Sequence, residues 1–110
     1  MNILINWLVM TVAVIVSAYI LPGVTLSGFW AALLVALVLG LLNVSIKPLL
    51  LILTLPINIL TLGLFTLVIN ALIIMMASAI VPGFKVNGFW YSMLFSVVLS
   101  IVLYLINKAK

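Results

Sequence analysis

The sequence predicts an all-α integral membrane protein: four transmembrane helices forming a tandem duplicated helical hairpin, with a short elbow between the halves. Three observations carry this expectation. Hydrophobic residues make up 70% of the 110-residue chain and charged ones 4%. Apolar stretches long enough to cross a bilayer are divided by Pro-Gly turns. The block around the first such turn recurs sixty residues later.

The charged residues are Lys47, Lys85, Lys108 and Lys110. An average soluble chain is about a quarter charged, and four lysines cannot give a domain of this size a polar exterior. Bilayer solvent removes that requirement. At roughly 20 residues per crossing the length allows four or five spans and no separate soluble domain. Asp, Glu, His, Cys and Arg are all missing. Disulfides, thiol redox chemistry and metal sites built on thiolate, imidazole or carboxylate are therefore excluded. General acid–base chemistry would fall to Lys or Tyr, and no carboxylate or histidine proton relay can be built. The expectation is a protein that is not an enzyme, with no catalytic residue, cofactor or metal. The lysines form no cluster or stripe, so no nucleic-acid partner is implied.

The first span, 3–21, is expected to be retained in the mature protein. MNILINWLVM lacks a basic n-region, and no small-x-small cleavage site precedes Pro22. Pro22 and Gly23 stop this helix, because Pro cannot continue it and Gly accepts positive φ. Ser27 stands where an N-cap for the next helix belongs, ahead of Gly28, and Phe29-Trp30 open that helix with aromatics at headgroup depth. The turn then repeats: Ile20, Pro22, Gly23, Gly28, Phe29 and Trp30 align with Ile80, Pro82, Gly83, Gly88, Phe89 and Trp90, and Asn87 takes the place of Ser27. Both loops alternate apolar with polar residues, a strand signal that predicts extended segments able to pair with each other.

The second span, 29–46, carries Ala32, Ala36 and Gly40, and the fourth, 89–106, carries Ser92, Ser96 and Ser100 at the corresponding positions. Small residues every fourth position let helix backbones approach closely in lipid. They pack the two hairpins together or, alternatively, face a second subunit in a homo-oligomer. Pro48 is expected to end helix two, with Lys47 snorkelling to lipid headgroups. Pro48 and Pro56 enclose seven residues, about 10 Å as a helix, against a hydrocarbon core of ~30 Å. This gives one membrane domain over 1–110: repeat one 1–47, an interfacial or re-entrant elbow 48–55, and repeat two 56–110, whose first helix (57–81) has Pro56 near its first turn. Asn6, Asn43, Asn58 and Asn70 are the polar residues nearest membrane depth, either as interhelix glue or as the lining of a solute path. An Asn43–Asn70 or an Asn6–Asn70 pair is compatible with the spacing. Four spans set Lys47, Lys108 and Lys110 on one face and Lys85 on the other, whereas five would split them evenly. The positive-inside rule favours four, with both termini cytoplasmic.

The PG-x-x-x-x-GFW turn resembles that of the mycobacterial-type four-TM phage holin family, as do LGLLN-x-x-x-KP at 39–48, LTLP-x-x-x-LTLGLF at 53–65 and Asn70-Ala71-Leu72. The resemblance spans essentially the whole chain. It implies a multi-pass protein of the bacterial inner membrane, in a family with many members of unknown function. Relatives commonly carry Arg where Lys47 stands, so bidentate phosphate recognition would be weaker here. The resemblance further implies a membrane-maintenance or envelope-stress role, acting through helix packing and contacts with membrane lipids or a protein. An oligomeric pore-forming holin and a small channel or transporter are the alternatives.

Overall fold

A computed structural model describes residues 3–61 and 63–109, apart from the side chain of Asn58. The elements in order are α1 (Ile3–Ile20), β1 (Val24–Leu26), α2 (Phe29–Leu53), α3 (Leu55–Leu60), α4 (Phe65–Ile80), β2 (Phe84–Val86) and α5 (Gly88–Ala109). Three helices, α1, α2 and α5, are long and apolar enough to cross a membrane, while α4 is apolar but shorter. With 25 residues α2 reaches about 37 Å, and with 16 residues α4 reaches about 24 Å.

The two Pro-Gly turns are built alike. The Leu21 amide donates to the Ser17 carbonyl and Val24 to Leu21, as Val81 does to Ala77 and Phe84 to Val81. Each turn leads into a three-residue strand, and the strands pair antiparallel with Thr25 opposite Lys85. The two loops expected to be extended are therefore paired. Reciprocal bonds close the ribbon at both ends, from the Ser27 amide to the Gly83 carbonyl (2.8 Å) and from the Asn87 amide to the Gly23 carbonyl (2.9 Å). Ser27 and α2 depart from expectation. Gly28, in extended conformation, is the N-cap of α2 with no side-chain cap bond, because Ser27 is committed to the ribbon.

A two-stranded ribbon is marginal alone; here its inner face is part of the core. Val24 and Phe84 point inward, and Thr25 and Lys85 point out. The Phe84 ring packs against Phe95 of α5 with centroids 5.4 Å apart, in one buried cluster with Val14, Val35 and Leu39. Around this core α1 packs on α2 and α5, and α4 packs on α5 and α2. The exterior is as apolar as the interior: Leu8, Val12, Leu34, Leu41, Leu94 and Ile101 are all exposed. In water such a surface would be an aggregation liability; in lipid it is the matched solvent.

The segment after Lys47 also differs from expectation. Helix two does not stop before Pro48 but runs through it to Leu53, and helix three is not continuous from 57. A break at Thr54 precedes the six-residue α3, with Pro56 in its first turn, and a second break around Gly63, at φ 88°, precedes α4. Pro48 removes a single donor from the helix, whereas stopping before it would leave the last carbonyls of a turn without intrahelical partners, so the helix continues. A threonine stands at the C-terminal end of α2 and of α3, its hydroxyl adding a second bond to a carbonyl that its own amide already bonds. The Thr54 hydroxyl donates to the Leu50 carbonyl, the Thr61 hydroxyl donates to Ile57, and the Phe65 amide donates back to Thr61 Oγ1.

Candidate functional site

The described part of the chain offers no group of metal-ligating residues. While the buried Ser17 hydroxyl, without a hydrogen-bond partner among the described residues, lies apart, two asparagines, a lysine and two serines gather below the aromatic core, on the side of the bundle away from the ribbon. There α2, α4 and α5 diverge around a cavity of about 90 Å³ lined by Asn43, Lys47, Asn70, Ser96 and Ser100, with Met10 of α1 completing the wall. Asn43 and Lys47 are four residues apart on α2 and so share a face. The cavity narrows upward to the buried Leu39, Ile73, Ile74 and Leu99, and it opens where Asn43 and Ser100 are exposed and Lys47 and Asn70 half-buried. Among the described residues, no side-chain hydrogen bond is made by either asparagine or by Ser100. Ser96 is committed, its hydroxyl donating to the Met93 carbonyl at 2.7 Å.

The four intramembrane asparagines thus separate. Asn43 and Asn70 line one cavity without bonding each other. Asn6 is exposed on α1 and lines a different, apolar groove of about 510 Å³ between α1 and α2, with Trp7, Met10, Ala36 and Gly40. The side chain of Asn58 and all of Lys110 lie outside the described residues.

The small-residue positions divide by depth. Ala32, Ala36, Ser92 and Ser96 are buried, whereas Gly40 and Ser100 are exposed. The Ser92 hydroxyl donates to the Gly88 carbonyl, so Ser92 and Ser96 bond back onto their own helix and do not bridge to a neighbour. In the turns, Pro22, Pro82, Gly28 and Gly88 are exposed, while Gly23 is buried beneath the Tyr91 ring and Gly83 lies against Ser27 and Ala31. Trp30 and Trp90 are exposed, each in an edge-to-face pair with the preceding Phe29 or Phe89. They ring the ribbon end together with the exposed Tyr19. Lys108 rests over the Tyr104 ring at 5.7 Å.

Two contributors went unnoticed in the sequence. Trp7 Nε1 donates to the Leu33 carbonyl at 3.0 Å and ties α1 to α2; the signal was an indole within a span, whose N–H needs a partner. Ser78 Oγ donates to the Phe84 carbonyl at 3.1 Å and ties α4 to β2. Met10 carried no signal, since only the fold brings it to the cavity.

Known proteins place this architecture. The chain is similar to YvlD, an uncharacterized membrane protein of Bacillus subtilis strain 168, at 42% identity over 108 residues, covering 97% of this chain and 87% of the relative. It is 40% identical over 116 residues to SCO3922, an uncharacterized protein of Streptomyces coelicolor, covering 93% of each. No solved structure matches it. Residues 1–105 match the family described as mycobacterial 4 TMS phage holin, superfamily IV, and the chain belongs to that family of membrane proteins.

Proposed function

We propose that the protein is a tandemly duplicated hairpin of the bacterial cytoplasmic membrane, with both termini cytoplasmic. Its work is membrane maintenance, under envelope stress in particular, through helix packing and contacts with lipid or a protein partner. Four spans are supported by the ribbon, which joins both turns at one end of the bundle. Duplication is supported by the matching turn bonds and by the pairing register, which maps onto itself when the copies are exchanged. One observation carries the choice of maintenance over a pore. Among the described residues, Leu39, Ile73 and Leu99 and then the Phe84–Phe95 pair lie above the polar cavity, which supports a bundle closed within a single chain.

Induced expression in a bacterial host, followed with a potential-sensitive dye, tests this. The expected outcome is an unchanged membrane potential, together with heightened sensitivity of a deletion strain to membrane-active antibiotics. Rapid depolarisation on induction would replace this account with the oligomeric holin. One feature favours that second reading: Gly40 is exposed in the α1–α2 groove with open space where a Cβ would stand, as a self-association face requires.

A further inference from the structure

We propose that the cavity between α2, α4 and α5 binds a phosphate oxyanion, with the Lys47 ammonium and the Asn43 and Asn70 amides as its principal donors. The site would supply the lipid contact of the maintenance role, and it rests on that reading and on the tandem repeat.

The repeat acts as an internal control. Sixty residues relate Asn70 to Met10, Asn43 to Leu103, Ser96 to Ala36 and Ser100 to Gly40. Met10 and Leu103 line the same cavity as their polar counterparts. At each position one half of the fold accepts an apolar or small residue, so packing does not require asparagine or serine in the other. The polarity is nevertheless concentrated on one cavity. Neither asparagine has a side-chain bond within the described protein, and both stand at the open side of the cavity, Asn43 exposed and Asn70 half-buried, so their amides are accessible to a ligand. These groups await something that is not protein.

The chemistry of the wall selects an acceptor. The Lys47 ammonium only donates and has no Asp or Glu in the chain to neutralise it, while the two amides and the hydroxyl, which can donate or accept, are able to turn their donors to the same ligand. A cation is repelled, and an oxyanion is bound by charge-assisted hydrogen bonds. Depth selects phosphate. Lys47 lies 18 residues beyond Phe29, about 27 Å along α2, near the far edge of a ~30 Å hydrocarbon core where lipid phosphates stand. The oxyanion comes either from an anionic lipid headgroup or from free phosphate.

The test uses the full chain in two settings: maltoside micelles titrated with inorganic phosphate, and nanodiscs of phosphatidylcholine with or without phosphatidylglycerol. Substitutions N43L and N70M install the residues found at the equivalent positions of the other half. With wild type, retention of phosphatidylglycerol by native mass spectrometry is expected, and the double variant should lose at least tenfold in affinity while melting unchanged in phosphatidylcholine alone. Binding of both probes, or of the lipid alone, supports the site and identifies its source. Equal binding by the double variant, or loss confined to K47Q, would reduce the site to a snorkelling lysine and overturn the proposal. Should the double variant misfold, dephasing of ¹⁵N-asparagine side chains by ³¹P in wild type decides the matter, and its absence overturns the proposal. None of these outcomes alters the depolarisation result, so the two claims fail separately.

Discussion

Gly83 and Gly28 occupy neighbouring places around the ribbon and answer differently to a methyl group. At Gly83 φ is +90°, and an added Cβ would run into Ser27 Oγ; at Gly28 the backbone is extended and nothing lies within 4 Å. G83A is expected to destabilise the protein by about 1–3 kcal/mol through backbone strain, with the clash in addition. G28A should be close to neutral. Unfolding in detergent micelles followed by tryptophan fluorescence separates them, and equal effects would contradict the turn geometry. Single residues were legible in the sequence where local chemistry fixes their role: Pro22, Gly23 and their counterparts do mark the ends of α1 and α4. The N-cap expected at Ser27 falls instead at Gly28, because the Ser27 amide is held in the ribbon by the Gly83 carbonyl, a partner far away in the sequence. Asn43 and Asn70 could be named as polar residues at depth, but their convergence on one cavity depends on helix rotation that spacing does not encode.

Among the elements, the paired strands and the three long helices follow from alternation, turn residues and apolar length. The path from Lys47 to Phe65 does not. Pro48 reads as a stop because in water a helix interior loses ~3 kcal/mol or more to proline. The helix nevertheless continues, since stopping there would free several backbone groups where the continued helix lacks one donor. The stops actually used are Thr54 and Gly63, where hydroxyls and a positive φ make a break tolerable. P48A is therefore expected to be neutral or stabilising, by up to about 3 kcal/mol, because it restores an N–H to a helix that already continues. Slower hydrogen exchange across residues 44–53 in nanodiscs would accompany it. A destabilised protein with faster exchange there would mean that Pro48 does end the helix.

At the scale of the whole molecule, one physical condition organises the rest. A chain with four charges and an apolar exterior must satisfy its backbone internally, and it does so with helices, Thr-bonded breaks and one ribbon that joins the two turns. The membrane class was legible from composition alone, because no soluble exterior can be assembled from these residues. The relation between the two turns needed the pairing of Thr25 with Lys85, which the sequence could only allow. That pairing sets both turns at one end of the bundle, over the aromatic core, with the polar cavity toward the Lys47 end.

The ribbon is also the most direct point of attack, since the chain contains no cysteine and each introduced thiol reports without background. Thr25 and Lys85 face each other in an antiparallel pair, where Cα atoms stand roughly 4.5–5.5 Å apart, within disulfide reach. In intact cells and inverted vesicles, T25C and K85C should each react with a membrane-impermeant maleimide from the same side. The double variant should cross-link on mild oxidation. Labelling of the two positions from opposite sides of the membrane, with no cross-link, would contradict the shared ribbon and the four-span bundle built on it.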